Sequence, residues 1–132
     1  MTNEEKQTLI DYRMERARES LQAAQLLFDN NMLIPAMNRL YYSMFYSVSA
    51  LLVLHNCTFS RHGQVKGFFN REFIKSGIMP VEFGKLYNAV FEYRQKFDYS
   101  DFVVPDREMV SNFLIKITKF IEEIEKYLES KI

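Results

Sequence analysis

The stretch Ala36–His55, AMNRLYYSMFYSVSALLVLH, is the most apolar segment of the chain. A helix that is hydrophobic over most of its circumference is covered by neighbours on several sides, so this segment is expected in the centre of a helical bundle. Its first half nevertheless carries polar side chains, with Asn38 and Arg39 just ahead of Tyr41 and Tyr42. The sequence therefore predicts a core helix whose N-terminal half also lines a site.

Length and composition define the class of protein. The chain has 132 residues, of which 48% are hydrophobic, and this predicts one domain over residues 1–132 with a genuine core. Its 17 basic and 17 acidic residues cancel, so any anion site must come from local arrangement. The single cysteine, Cys57, fits a reducing compartment. The longest apolar run, Met44–Leu54, is too short to span a bilayer, and the N-terminus lacks the apolar core of a signal peptide. We therefore expect a soluble cytoplasmic protein without a membrane span.

Apolar residues recur every three or four positions in the rest of the chain, and no segment alternates with a period of two. The first helix is expected from the cap Thr2 to about Asn31, and the core helix from Pro35 to about His55. A shorter third helix, capped by Ser60, is expected from Arg61 to about Ser76. The fourth is expected from near Val81 to about Tyr99, and the last helix from Pro105. The predicted fold class is all-α: an up-and-down helical bundle with four long helices and one shorter helix.

Two details of this reading concern particular faces of the helices. Arg13 and Arg16 fall opposite the apolar stripe of the first helix and are expected on its outward face. Gly63 and Gly67 weaken the third helix, and close approach of another backbone or of a ligand is the expected compensation.

Several catalytic patterns are missing from the sequence. The glycines form neither a phosphate-binding loop nor a dinucleotide fingerprint. A di-iron bundle needs a glutamate three residues before each of two histidines, and neither His55 nor His62 has one. No zinc-type spacing of cysteine and histidine occurs. The sequence predicts no metal site and no cofactor.

Three polar features remain. Arg94 and Asp98 are four residues apart on a helix, so the carboxylate can hold the guanidinium, although such pairs also merely close helix ends. His62 follows Arg61 at the start of the third helix. A histidine exchanges protons near neutral pH, and the free N–H groups of a helix start attract phosphate. The alternative for His62 is a capping or surface histidine.

The third feature is the polar part of the core helix, Asn38 and Arg39 with Tyr42 and Tyr46. The alternative to a site is that Arg39 and the tyrosine hydroxyls reach solvent from the end of the bundle while the rest of each side chain packs.

Together these segments resemble HEPN-domain proteins, in particular the small stand-alone prokaryotic branch. The resemblance rests on NRLYYSMFYSVSALL, on SRH followed by a phenylalanine-rich helix, and on RQKFDY before the last helix, and it covers roughly residues 8 to 128. It implies a helical bundle that commonly forms a homodimer. Many such proteins are encoded beside a small nucleotidyltransferase and act as the toxin half of a toxin–antitoxin pair, and active members are metal-independent endoribonucleases.

The resemblance also implies site residues. The family's motif is an arginine followed after four to six residues by a histidine; here Arg94 takes the arginine position and Tyr99 stands where the histidine would be. Tyrosine, with a reference pKa near 10, is a poor general base at neutral pH, so His62 is the alternative base. The candidate catalytic residues are Arg94, His62 and Tyr99, and the candidate ligand-binding residues are Asn38, Arg39, Tyr42, Arg61 and Asp98.

Three functions stay open from the sequence. The first is a HEPN-like module that binds RNA or nucleotide phosphate and a protein partner, namely a nucleotidyltransferase-type antitoxin. The second is a weak metal-independent endoribonuclease. The third is a dimeric helical adaptor that binds no ligand.

Overall fold

The computed structural model describes residues 1–57, 61–101 and 103–131. The described residues form five α-helices and no strand: α1 Asn3–Asp29, α2 Leu33–Leu54, α3 His62–Phe69 continued by a π-helical turn Asn70–Ile74, α4 Val81–Tyr99 and α5 Arg107–Ser130. The predicted all-α bundle of four long helices and one shorter helix is confirmed. None of the described helices has an apolar stretch long enough to cross a membrane.

The helix α2 lies at the centre of the bundle and packs against α1, α3, α4 and α5. Five of the side chains that it buries completely from solvent are Met37, Leu40, Met44, Val48 and Leu51. Burying a side chain of this size contributes roughly 1.5–3 kcal/mol, so α2 supplies a large part of the core. The central position predicted for this segment is confirmed.

The ends of α1 follow the local signals in the sequence. Thr2 forms a capping box, in which the Glu5 backbone N–H donates to Thr2 Oγ1 at 3.1 Å and Thr2 N–H donates to Glu5 Oε1 at 3.3 Å. After α1, Asn31 adopts a left-handed conformation with φ of 59°, and the chain turns directly into α2. The predicted cap and the predicted stop are both confirmed.

Three helix starts differ from the sequence prediction. The helix α2 begins at Leu33, so Pro35 lies within the first turn, where a missing N–H also costs no intrahelical bond. The helix α5 begins after Asp106, whose Oδ1 accepts from Met109 N–H at 2.8 Å, rather than at Pro105. Arg61 is the N-cap of α3, and the predicted cap, Ser60, lies outside the described residues.

Of the two alternatives expected at Gly63 and Gly67, close approach of another backbone is wrong, and close approach of a ligand stays a prediction. Apart from the chain neighbours and the backbone of α3 itself, no described heavy atom lies within 4 Å of a Cβ built on either residue, because α3 turns its other face, with Val65 and the phenylalanines, to the core. The close approach occurs at Gly84 of α4. A Cβ there would lie 2.8 Å from Asn70 Oδ1 and 3.1 Å from Ile74.

The substitution Gly84→Ala is expected to lower the free energy of unfolding by about 1 kcal/mol. Overpacking costs roughly 1–3 kcal/mol and outweighs the helix propensity gained from alanine. Asn70 cannot swing away freely, because its Nδ2 donates to Lys66 O at 3.0 Å and to Asn88 Oδ1 at 3.1 Å. Thermal unfolding measures the effect as a decrease of about 2–5 °C.

The matched control is Gly67→Ala, which adds the same methyl group in another helix but into open space. This variant should melt at the same temperature as the wild type or higher. Equal melting temperatures for the two variants would contradict the close packing of α4 against the π-helical turn.

Candidate functional site

The candidate site lies where α2 begins, α3 begins and α4 ends. On this side α2 is incompletely covered, so Asn38, Arg39, Tyr42 and Phe45 are half-buried while Tyr41 is fully buried. Half-buried polar and aromatic groups on a core helix form a surface that is both rigid and reachable from solvent. The site is therefore built on α2 and completed by side chains from α3 and α4.

Arg94 of α4 lies over the two tyrosines of α2. Its guanidinium carbon is 4.7 Å from the ring centre of Tyr41 and 5.2 Å from that of Tyr42, and its Nη2 donates to the Tyr42 hydroxyl at 3.2 Å. Its Nε lies 3.3 Å from Asp98 Oδ2, but the direction is not that of a hydrogen bond, so this contact is an ion pair. The side chain of Arg94 is only 16% exposed. The Arg94–Asp98 pair is thus built into the site rather than lying free on the surface.

Asn38 and Arg39 extend the same cluster along α2. Asn38 Nδ2 donates to Asp98 Oδ2 at 3.5 Å, and Arg39 Nη2 donates to Asn38 Oδ1 at 2.9 Å. The Arg39 guanidinium carbon lies 4.9 Å from the ring centre of Tyr42. Two guanidinium groups therefore lie at cation–π distance from one ring, with Asp98 as the carboxylate between them.

His62, the first residue of α3, lies against the same tyrosines. Its Nδ1 is 2.5 Å from the Tyr41 hydroxyl, and its ring stacks on Phe45 with centres 4.4 Å apart. The ring centre of Tyr42 is 5.8 Å away in an edge-on arrangement. Since Arg94 also lies over Tyr41 and Tyr42, the histidine and the arginine meet at one pair of rings.

The environment determines the protonation of this cluster. Burial lowers the pKa of His62 below its usual value of 6.5, and the positive charge of Arg94 lowers it further. His62 is therefore neutral at neutral pH and able to accept a proton. Burial raises the pKa of Tyr41, with Arg94 opposing it, so the hydroxyl keeps its proton. The Tyr87 hydroxyl is buried behind that of Tyr41, has no hydrogen bond of acceptable geometry, and also has a raised pKa because of burial.

Six of the eight residues that the sequence singled out come together here: Asn38, Arg39, Tyr42, His62, Arg94 and Asp98. Arg61 is the exposed N-cap of α3 and makes no described contact with the cluster. Tyr99 is 80% exposed and lines a shallow depression with Glu92, Gln95 and Lys96. With 3.6 residues per turn, a residue five positions after Arg94 lies on another face of the helix, whereas Asp98 lies on nearly the same one. The structure does not bring Tyr99 to Arg94.

The sequence reasoning missed Tyr41 and Phe45 as parts of this site. The apolar surroundings of Tyr41 in the sequence predict only a core position, which it does occupy. Its bond to His62 joins positions 21 residues apart. No helical period links such positions, so the only signal in the sequence was the pair of adjacent tyrosines. Within the described residues, no group of three histidine, cysteine or acidic side chains is placed to hold a metal ion.

The class of protein is therefore a helical bundle whose core helix supplies two tyrosines to a site, with the histidine coming from the short third helix and the arginine from the end of the fourth. Residues 10–127 match the HEPN domain. The chain belongs to the HEPN-domain family, as its motifs predicted.

Relatives within this family support the assignment. The chain is 45% identical to a "UPF0332 protein" of Thermotoga maritima over 125 residues, which cover 95% of both chains. It is 36% identical to the "Putative toxin MJ0142" of Methanocaldococcus jannaschii, over 89% of this chain and 80% of that one. A second protein of that organism, "Putative toxin MJ0605", is 32% identical over 96% of this chain and 90% of its own length. This chain is thus a HEPN module that is similar to two proteins named as toxins.

The pKa of His62 is expected to lie below 6.5 and to rise in Arg94→Gln, because the substitution removes the second of its two causes. Burial, the larger cause, persists, so the pKa should not return fully to 6.5. NMR titration of the histidine ring protons measures both values. No change in the pKa of His62 on substitution would contradict the placement of Arg94 beside it.

The same shift predicts how stability depends on pH. Because the folded pKa is lower than the unfolded one, the unfolded chain binds a proton first as the pH falls below about 6.5. The contribution of His62 to stability is therefore complete above that pH and is lost between it and the folded pKa. Denaturant unfolding of the wild type and of His62→Gln should diverge least at low pH.

Proposed function

We propose that this HEPN module binds the phosphate of RNA or of a nucleotide at the cluster of Arg94, Arg39 and His62. The observation that carries the proposal is the meeting of two guanidinium groups and an imidazole around the rings of Tyr41 and Tyr42. The toxin names of two relatives support a role in acting on a cellular target.

The charges of the cluster favour an anion. Arg94 and Arg39 bring two positive charges against the one carboxylate of Asp98. In the described part of the chain no carboxylate lies within ion-pair distance of Arg39. Guanidinium groups hold phosphate through two parallel hydrogen bonds, and a partly buried setting makes such bonds stronger than they are in water. Tyr42 and Phe45 offer half-buried rings on which a base could stack.

A second candidate function is metal-independent cleavage of RNA, and the position of His62 favours it. In the tautomer that donates Nδ1–H to the Tyr41 oxygen, Nε2 is free to accept the proton of a ribose 2′-hydroxyl. The 2′ oxygen would attack the adjacent phosphorus to form a 2′,3′-cyclic phosphate, and the bond to the 5′ oxygen would break, with that oxygen taking a proton from water to become a hydroxyl. Arg94 would stabilise the charge that develops on the phosphoryl oxygens.

We further propose that the chain forms a homodimer through the end of the bundle beside the site, and that it pairs with a nucleotidyltransferase-type antitoxin. The contacts of Asp98 with Asn38 and of Arg107 with Phe28 O place the end of α4, the start of α5 and the α1–α2 turn at one end. Large apolar side chains are exposed there: Leu26, Met32, Ile34, Tyr99 and Val104. Exposed apolar groups gathered in this way are typical of protein contacts.

The substitution Arg94→Gln is expected to weaken binding of single-stranded RNA by about tenfold to a hundredfold, because a charge-assisted contact to phosphate contributes roughly 1.5–3 kcal/mol. Binding by the wild type should weaken as salt increases. Fluorescence anisotropy of a labelled oligonucleotide measures both effects.

The matched control is Arg71→Gln, which removes an exposed guanidinium paired with Glu72 on the π-helical turn. It should bind as the wild type does. If the wild type binds neither RNA nor a mononucleotide, the phosphate-binding proposal fails and the ligand-free adaptor becomes the better description.

Cleavage is tested by incubating the protein with RNA in the presence of EDTA. If the second candidate function holds, the wild type yields fragments, and both His62→Gln and Arg94→Gln reduce the rate more than tenfold without a matching loss of melting temperature. Intact RNA after incubation with folded wild type would exclude this candidate.

The dimer is tested by light scattering after size-exclusion chromatography. The wild type should have twice the mass of one chain, and Met32→Lys with Ile34→Lys should shift it towards the monomer because the new charges cannot be buried in the interface. A monomeric wild type would refute the homodimer.

A further inference from the structure

The arrangement of Arg94 on Tyr42 is repeated one helical turn further along α2. Arg16 of α1 donates from Nη2 to the Tyr46 hydroxyl at 3.2 Å, and its guanidinium carbon lies 5.1 Å from the centre of that ring. The corresponding values for Arg94 on Tyr42 are 3.2 Å and 5.2 Å. The two arginine–tyrosine units thus share one geometry, although one arginine comes from α4 and the other from α1.

This geometry corrects the expected position of the arginines of α1. Arg16 and Arg13 do not point outward but are half-buried against α2, where Arg13 Nη1 donates to Ser49 O at 2.9 Å. Each arginine has a hydrogen-bond acceptor on the core helix. Its side chain therefore lies against α2 instead of on the outward face that the apolar stripe predicts.

The second unit differs from the first in its charge balance. Arg94 is paired with Asp98, whereas no described carboxylate lies within ion-pair distance of Arg13 or Arg16. The other hydrogen bond of Arg16 goes to the neutral hydroxyl of Tyr12 at 3.3 Å. That bond is the first cause of the raised pKa of Arg16, and the charge of Glu19 is the least. Two guanidinium groups thus line one place with no described carboxylate at ion-pair distance, and Glu19 acts on Arg16 only weakly.

A hollow of about 230 Å³ opens between these arginines, with Tyr12, Phe45 and Tyr46 among its walls. Phe45 also stacks on His62, so the hollow and the Arg94–His62 cluster share a wall. Four residues of helix separate Tyr42 from Tyr46, which corresponds to about 6 Å along the axis. That step is on the scale of one nucleotide in an extended strand.

We propose that Arg16, Arg13 and Tyr46 form a second anion subsite, which takes the neighbouring nucleotide of a single-stranded RNA whose first phosphate lies at Arg94. This inference rests on the proposed function of the first cluster. A polymer with a phosphate on every residue can occupy both units at once, whereas a nucleoside monophosphate can occupy only one.

The lining of the hollow favours a nucleic acid strand over a second protein chain. Aromatic rings and guanidinium groups alternate in it, and this combination stacks bases while it neutralises the backbone. The exposed apolar side chains that fit a second copy lie instead at the end of the bundle, around Met32 and Ile34.

The test compares a labelled single-stranded decauridylate with uridine monophosphate on the full chain. Arg16→Gln is expected to weaken binding of the oligonucleotide about tenfold, to make its salt dependence less steep by about 0.7 on logarithmic axes, and to leave the monophosphate unaffected. Arg16→Lys keeps the charge and should keep the salt dependence.

The matched control is Arg18→Gln, which changes the same charge in the same helix but faces α5, where Arg18 pairs with Glu125. It should change the affinity for neither ligand.

If Arg94→Gln weakens binding of both ligands while Arg16→Gln weakens binding of neither, the second subsite is overturned and the proposed function stands. If the wild type binds neither ligand, the proposed function itself fails. If Arg16→Gln instead dissociates a dimer in light scattering, the hollow contacts a second copy and the inference is overturned.

Discussion

The placement of Tyr41 is the constraint on which the rest of the site depends. Its ring is fully buried in the bundle and lies within 6.3 Å, centre to centre, of the rings of Tyr87 and Phe91 from α4. The same ring accepts the guanidinium of Arg94, and its hydroxyl holds His62. One core residue thus fixes the end of α4 and the start of α3 relative to α2. The site is held as rigidly as the core because Tyr41 belongs to both.

Burying a cation against aromatic rings is costly unless its charge and donors are satisfied. Arg94 meets the charge part of this requirement with the carboxylate of Asp98 and the faces of two rings, and its Nη2 donates to the hydroxyl of Tyr42, whereas its buried Nε makes no hydrogen bond. The arrangement in turn acts on His62, whose pKa falls because the imidazole is partly buried and because a second proton would add a positive charge beside Arg94. The cation that we propose as a phosphate ligand therefore also helps burial to keep His62 unprotonated.

How far the sequence could predict this structure depended on whether a contact follows a helical period. The core face of each helix, the central position of α2 and the Arg94–Asp98 pair follow from spacings of three and four residues. The same rule argues against placing Tyr99 beside Arg94. The contact of Tyr41 with His62 joins two helices across a turn, and no local pattern encodes it. Arg16 was misplaced because a long side chain can reach back to hydroxyls on the neighbouring helix even when its Cα faces away from the apolar stripe.

The two arginine–tyrosine units show how tyrosines one turn apart on a core helix can produce the same surface arrangement twice. Tyr42 and Tyr46 are one turn apart on α2, so they present the same kind of ring and hydroxyl at successive levels. The helices α4 and α1 flank this strip from opposite sides, and each contributes an arginine that donates to the hydroxyl of its tyrosine. Among the described residues, only the unit on the α4 side has a carboxylate at ion-pair distance, because Asp98 follows Arg94 by one turn on the same helix. The unit on the α1 side is therefore the less neutralised of the two, and the difference lies in the flanking helices rather than in α2.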